Sequence, residues 1–215
     1  MFTGIVEEVG VITHAEDRAG DLRLHIQCQV VVQDAQPGDS ISVSGCCLTV
    51  VTLSGSGFEV DLSKETVAKT APRWAVGSRV NLERALAASA RFGGHIVSGH
   101  VEGVGEVTDL SEQPGAYRLT VRAPAGMGRY FVPKGSITVD GVSLTVVDVG
   151  GPGGSSEELG PDEFTLWLIP HTLDITTLGE LAPGSLVNLE ADLLARHLDR
   201  LRLWDAAFTE GTEQQ

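Results

Sequence analysis

Two small polar side chains stand in matching surroundings: Cys47 in Gly45-Cys46-Cys47-Leu48-Thr49-Val50-Val51, and Ser143 in Gly141-Val142-Ser143-Leu144-Thr145-Val146-Val147. A thiol or hydroxyl just before Leu-Thr-Val, on a strand leaving a glycine turn, is placed for nucleophilic, proton-transfer or hydrogen-bonding chemistry. Singly, a Cys or Ser beside a buried strand is more often inert packing. Recurrence in register raises the weight of function, although a duplication can preserve a turn without preserving a site. Two histidines lie in Gly93-Gly94-His95-Ile96-Val97-Ser98-Gly99-His100-Val101. Their spacing offers no metal geometry. His95 reads as a satisfied structural side chain. His100 is the stronger candidate, because the internal alignment sets it where Ile5 stands. Asp192 follows Val187-Asn188-Leu189-Glu190 and either orients a base or begins a last helix as an acid favoured by the helix dipole.

The elements that must position these residues are themselves repeated. Gly4-Ile5-Val6-Glu7-Glu8-Val9-Gly10 returns as Gly99-His100-Val101-Glu102-Gly103-Val104-Gly105, and residues 40–51 align with 136–147. Residues 58–66 return as 164–172, and residues 77–83 as 184–190. Matching blocks in one order mean a duplicated domain of roughly a hundred residues, not a short-period solenoid. Leu22-Arg23-Leu24-His25-Ile26 and Tyr117-Arg118-Leu119-Thr120-Val121 alternate apolar with polar, the period of a half-buried strand. Turn residues divide each half into roughly six strands. Short antiparallel strands with one apolar face leave open edges unless the sheet closes, so each half is expected to be a six-stranded Greek-key barrel in an all-β chain. Residues 64–70 and 171–177 break the alternation and are expected to form short helical turns across the barrel mouths. Residues 150–163, rich in Gly, Pro, Ser and acids, occur in the second half alone and read as a mobile hairpin tip. Leu194, Leu198, Leu201, Trp204 and Phe208 share one face of a closing helix, which is either a lid on its own barrel or a contact between copies of the chain, with a homo-oligomer favoured.

Composition narrows the classes. The 215 residues carry a net charge of −14, and no Lys/Arg cluster suits a phosphate backbone. No glycine-rich phosphate loop is present, which argues against nucleotide hydrolysis and against a flavin reductase that needs a nicotinamide domain. Three cysteines give neither a disulfide framework nor zinc spacing. No secretory leader or membrane-length apolar run is visible, so a cytoplasmic protein is expected.

Taken together, Met1-Phe2-Thr3-Gly4-Ile5-Val6, Gly45-Cys46-Cys47-Leu48-Thr49-Val50, Gly93-Gly94-His95 with Ser98-Gly99-His100, Asp140-Gly141 with Ser143-Leu144-Thr145-Val146, and Thr176-Thr177-Leu178-Gly179 resemble the riboflavin synthase family of the α-chain type. The similarity spans nearly the whole chain, and five ordered motifs are far more specific than any one. The departure is residues 150–163, where that family is usually shorter.

The resemblance implies two lumazine-binding barrels, residues 1–97 and 98–192, and an oligomerisation helix with its tail at 193–215. It implies a homotrimer with the site between subunits, and association with lumazine synthase is a further expectation. The activity implied is a cofactor-free dismutation of two 6,7-dimethyl-8-ribityllumazine molecules into riboflavin and 5-amino-6-ribitylamino-pyrimidinedione by transfer of a four-carbon unit. Carried over residue by residue, the first cradle comprises Gly4, Ile5 and Val6, Cys47, Leu48 and Thr49, and Asp61, Leu62, Ser63, Lys64, Glu65 and Thr66. The second comprises Gly99, His100 and Val101, Ser143, Leu144 and Thr145, and Trp167, Leu168, Ile169, Pro170, His171 and Thr172, with Lys134 reaching in. Cys47, His100, Ser143, Thr145 and Asp192 are the candidates for chemistry, and no metal is expected. The alternative is a non-catalytic lumazine or flavin carrier of the same fold, in which the second cradle tends to lose its polar pattern. Here Ser143, Leu144 and Thr145 retain it.

Overall fold

The computed structural model describes the backbone of residues 1–212 and the side chains of residues 1–205. Twelve strands form two closed antiparallel barrels of the expected kind. The first contains β1 (Glu8–Arg18), β2 (Asp21–Gln27), β3 (Ser40–Val43), β4 (Cys46–Ser54), β5 (Gly57–Leu62) and β6 (Arg79–Arg84). The second contains β7 (Gly103–Gln113), β8 (Ala116–Arg122), β9 (Ser136–Val139), β10 (Val142–Val149), β11 (Glu163–Leu168) and β12 (Leu186–Ala191). Neighbours run β1-β2-β5-β4-β3-β6 around the first barrel, and β7-β8-β11-β10-β9-β12 repeats that order around the second. Even the irregularities recur. β1 shifts register against β2 between Ile12 and His14, and β7 shifts against β8 between Val107 and Asp109.

Alternation explains the cores. Ile12, Leu24, Ile26, Phe58, Val60 and Leu82 fill the first barrel, and Val107, Leu119, Val121, Phe164, Leu166 and Leu189 fill the second. Each of these side chains is fully buried, an arrangement that contributes about 1.5–3 kcal/mol apiece before entropy is counted. The expected helical turns are present as α1 (Lys64–Lys69) and α2 (Pro170–Ile175). Ser63 caps the first through the amide of Thr66, whereas proline opens the second. Residues 150–162 join β10 to β11 through turns, with Gly150 donating to the Glu163 carbonyl and Ser155 to that of Val149.

The barrels meet back to back through a polar contact. Ser44-Gly45 and Asp140-Gly141 are two-residue turns with positive φ at all four positions, the geometry of tight hairpins. They abut so closely that a Cβ on Gly45 would lie 2.8 Å from the Gly141 nitrogen, and one on Gly141 2.6 Å from the Gly45 nitrogen. The Asn81 amide donates to the Asp140 carbonyl (2.9 Å), and the Asn188 amide to that of Ser44 (2.8 Å). Their carboxamide oxygens accept from the Thr177 and Ala71 amides (2.8 and 2.6 Å). One pair breaks the symmetry, for Asp140 stands where the first half has Ser44. Its fully buried carboxylate lies 2.9 Å from Arg73 Nη2, and burial raises its pKa to about 6 against the opposing pull of that guanidinium.

α3 (Leu193–Thr212) leaves the second barrel, tied to it by Arg196 with Glu102 (2.6 Å) and Arg129 with Asp199 (2.9 Å). Its inner face is therefore charged. Leu194, Leu198, Leu201 and Trp204 are each more than half exposed. The lid alternative fails for these four residues, and the side chain of Phe208 lies outside the described residues.

Removing Arg73 should expose the cost of the buried acid in a pH-dependent way. Asp140 binds a proton more readily in the folded state than in the unfolded one, so it lowers stability as pH rises from about 4 to about 6. Arg73→Met raises that pKa further. Its penalty is expected to be small at pH 5.5 and to reach about 3–5 kcal/mol at pH 8 in denaturant unfolding. An equal penalty at both values would show that Arg73 acts through packing alone.

Candidate functional site

The approach segments to the two barrels cross over. Phe2 and Val97 exchange backbone hydrogen bonds as an antiparallel bridge and His95 donates its amide to the Thr3 carbonyl, so residues 2–3 and 95–97 run side by side before residues 4–6 and 98–101 diverge from the bridge. Ser143 then donates its amide to the Gly4 carbonyl, and Cys47 donates its amide to the Gly99 carbonyl, both at 2.7 Å. Val6 packs against the second barrel's core and Val101 against the first. The expected grouping is thereby corrected. Gly4, Ile5 and Val6 belong with Ser143, and Gly99, His100 and Val101 belong with Cys47. Both glycines sit at φ +78, and a Cβ would lie 2.6 Å from Ser143 Cβ at Gly4 and 2.7 Å from Cys47 Cβ at Gly99. That close approach requires the absence of a side chain.

Two buried carboxylates hold the crossing segments. Glu83 accepts from the Thr3 amide and hydroxyl (2.7 and 2.9 Å) and the Gly4 amide (3.0 Å). Glu190 accepts from the Ser98 amide and hydroxyl (both 2.7 Å) and from the amides of Gly99 (2.8 Å) and His100 (3.0 Å). Burial raises the Glu83 pKa, opposed by the bonds from Thr3 and Gly4. Neither acid stood out in the sequence. The signal was there in the repeated Asn-Leu-Glu, whose function needs the partner segment to be seen.

In the first cradle, Cys47, Ser63, Glu65, Thr66, Gly99, His100 and Val101 line one open cleft of about 230 Å³, joined by Cys46, Lys69 and Thr70. His100 and Glu65 are exposed there, Cys47 is half-buried, and burial pushes the neighbouring Cys46 thiol up to about 12. Cys47, not Cys46, is the thiol available to chemistry. The remaining candidates stand apart from this cleft. Leu48 and Leu62 are core residues, Thr49 is exposed, and Asp61 forms a two-pronged pair with Arg23 (2.7 and 2.5 Å) that lowers its pKa. Lys64 donates its amide to Asp21.

In the second cradle, Ser143 Oγ lies 2.7 Å from His95 Nδ1. His95 is buried, and desolvation lowers its pKa against the pull of Asp192 and Glu190. Its reading as a purely structural side chain missed this contact. The clue was Gly93-Gly94, since a Cβ on Gly94 would meet the Thr3 carbonyl at 2.0 Å and Ser143 Oγ at 3.0 Å. Asp192 begins α3, accepting from the Leu194 amide (2.9 Å). Leu144 is half-buried and Leu168 is core, while Thr145, Trp167, Ile169, Pro170 and His171 are exposed and Thr172 is half-buried. Lys134 is exposed at φ +67, where the first repeat has Gly38, and both donate an amide to the same strand position, Val146 and Val50. A cleft of about 790 Å³ lies among α3, residues 126–132 and residues 150–162 and touches none of these candidates.

The lumazine binding domain model matches residues 3–85 and again residues 98–192. The riboflavin synthase of Photobacterium phosphoreum is 43% identical over 207 residues, 95% of this chain and 90% of that protein. That of Mycobacterium bovis is 46% identical over 203 residues, 94% of this chain and 98% of that protein. The chain belongs to the riboflavin synthase family. Among solved structures, LumP complexed with riboflavin superposes with a TM-score of 0.77 at 26% identity, covering 89% of this chain and 99% of that one. LumP complexed with 6,7-dimethyl-8-(1'-D-ribityl) lumazine gives 0.74 at 25%. These riboflavin synthase relatives are thus nearer in sequence than the LumP structures, over a comparable span.

Glu190→Gln tests the clamp. The amide would turn an NH2 towards donors, so stability is expected to drop by about 2–3 kcal/mol in denaturant unfolding. An unchanged midpoint would mean that the crossing segments are held elsewhere.

Proposed function

We propose that this protein is a riboflavin synthase whose reaction takes place between the first cradle of one subunit and the second cradle of another. The observation that carries the reading is the pair of related but chemically unequal cradles, each built on one barrel and floored by the other repeat's approach segment. A reaction of two identical lumazines needs two related sites, one for the donor and one for the acceptor of a four-carbon unit, and holding both in register removes most of the entropic barrier. Substitution at N8 makes the lumazine C7 methyl acidic, so a positioned base suffices to form the carbanion. Cys47 and His100 in one cradle, and Ser143 in the other with Asp192, whose charge acts on the His95 ring beside it, are the groups for these proton transfers. Gly4, Ile5, Val6 and Lys134, with the residues about α1 and α2, would hold the substrates.

The cleft beside Cys47, at about 230 Å³, is smaller than the usual 300–1,000 Å³ of a complete ligand site. A second wall is required, and an oligomer supplies it. The exposed Leu194, Leu198, Leu201 and Trp204 face of α3 favours a homotrimer assembled by residues 193–215, with residues 1–97 and 98–192 as its binding units. The location proposed is cytoplasmic, and association with lumazine synthase would feed the substrate. A carrier role, drawn from LumP, is the second reading. The retained polar pattern of Ser143, Thr145 and His100 argues for turnover.

Two measurements test this. The purified chain, with no added metal or cofactor, should convert the ribityl-lumazine to riboflavin in an absorbance assay, and tight binding without turnover would favour the carrier. A chain ending at Asp192 should run as a monomer with little activity, and an unchanged mass in solution would remove α3 from the assembly.

A further inference from the structure

Each approach segment runs from a cradle floor directly into a glutamate. Residues 4–6 lead to Glu7 and residues 99–101 to Glu102. Both glutamates donate their amides to the closing strand of the barrel they enter, Glu7 to the Leu82 carbonyl (2.8 Å) and Glu102 to that of Leu189 (2.9 Å). Glu7 then finds a cation on that same strand. Its carboxylate accepts the Arg84 amide (2.8 Å) and pairs with the Arg84 guanidinium, which Asp34 also holds. The repeat sets Ala191 at the position of Arg84, so β12 has no cation to offer. The charge that meets Glu102 comes instead from α3, where Arg196 Nη1 lies 2.6 Å from Oε1. This is a charge contact rather than an aligned hydrogen bond, for Oε1 is buried and accepts none, and Oε2 receives the Ala191 amide at a long 3.4 Å.

A second carboxylate makes this cation matter. Glu190 on β12 grips the Ser98, Gly99 and His100 amides. Burial raises the Glu102 pKa to about 7, with Arg196 from α3 pulling against it and Glu190 adding to it. Without Arg196, an ionised Glu102 would set two poorly solvated negative charges against each other at the point where the first cradle's floor is clamped.

On the reading that this chain is a riboflavin synthase, we propose that Arg196 is a positioning residue for the first cradle: by compensating Glu102 it keeps residues 99–101 seated against Cys47, which couples α3 to one cradle and not to the other. The second cradle's floor, residues 4–6, is fixed without the helix, because Glu7 has its cation in Arg84. The coupling runs both ways, so a ligand that closes the first cradle also holds the start of α3 to the barrel. Arg196 touches no substrate and acts through Glu102.

Hydrogen–deuterium exchange of residues 97–103 in the full-length protein tests this. At pH 8, Arg196→Met is expected to speed exchange there by about 5-fold over the parent, and at pH 6, where Glu102 is largely protonated, by no more than about 2-fold. Arg196 matters only as far as Glu102 is ionised, and ionisation grows as pH rises through about 7. In a Glu102→Gln background the same change should have no effect at either pH. Arg129→Met, which frees a second tie of α3 at Asp199, should leave the segment at the parent rate. Turnover gives a further readout. Because substrate must first close a loosened floor, Arg196→Met should raise KM for the lumazine by about 5-fold at pH 8 with kcat within about 2-fold and the mass in solution unchanged. Exchange unaffected by Arg196→Met, an effect equal at both pH values, one that persists in Glu102→Gln, or a fall in mass accompanying the loss would overturn the proposal. If the parent protein binds the lumazine without turnover, the synthase reading fails instead, and the exchange comparison still decides whether the helix positions the floor.

Discussion

The closing strand of each barrel carries a polar face that its own barrel cannot satisfy. In β6 and β12, Val80 and Leu82, like Val187 and Leu189, turn into the apolar core, which by the two-residue period of a strand sends Asn81, Glu83, Asn188 and Glu190 to the opposite face. All four polar side chains are buried. A buried amide or carboxylate without partners costs several kcal/mol, so this face is compatible with a folded chain only when something returns its hydrogen bonds. The asparagines find theirs on the other repeat and the glutamates on the approach segments. Separation of the barrels would therefore leave the two asparagine side chains and their backbone partners at Ser44, Ala71, Asp140 and Thr177 to water or to nothing, and the two repeats form one unit for that reason rather than through a shared apolar core.

The same constraint builds the cradles. Because Glu83 and Glu190 grip residues 3–4 and 98–100 by their backbone amides, those segments are fixed in the seam, and their carbonyls are left to receive the amides of Ser143 and Cys47. Cys47 and Ser143 are thus each located by a hydrogen bond that their own amide donates to the other half's approach. A strand leaving a tight positive-φ turn supplies the residue, and a glycine without a Cβ lets the backbone come close enough to hold it. Positioning on rigid strands, with a second layer of satisfied carboxylates behind them, is what proton transfer between a side chain and a carbon acid demands.

Much of this was legible in the residues themselves. Strand alternation, turn residues and the internal repeat lead to two six-stranded barrels, two helical turns and a final helix, because each of these depends on local periodicity. The crossing was not legible. Residues 4–6 and 99–101 precede similar strands in both halves, and nothing in their types says which barrel each will lie against; only the pairing of Phe2 with Val97 decides it. His95 was misjudged for a related reason. Its importance comes from a contact across 48 residues with Ser143, and a histidine beside two glycines looks the same in sequence whether it faces solvent, a backbone or a hydroxyl. The charged inner face of α3 was equally hidden, since Arg196 and Asp199 find their partners, Glu102 and Arg129, only in the folded barrel.

Duplication supplies symmetry, and this chain has departed from it at the points where equal halves would serve poorly. Asp140 replaces the small Ser44 at the centre of the seam and takes Arg73 as its cation, so the contact between barrels is no longer interchangeable end for end. Cys47 meets an open cleft with an exposed imidazole and ammonium, while Ser143 meets a buried imidazole watched by two carboxylates. A thiol can itself carry negative charge near neutrality, but a serine hydroxyl cannot and needs a neighbour to take its proton. The residue with the weaker intrinsic acidity is the one with a buried imidazole at hydrogen-bond distance. The two halves thereby present different surroundings, which is the least that telling apart two molecules of the same structure requires of a duplicated protein.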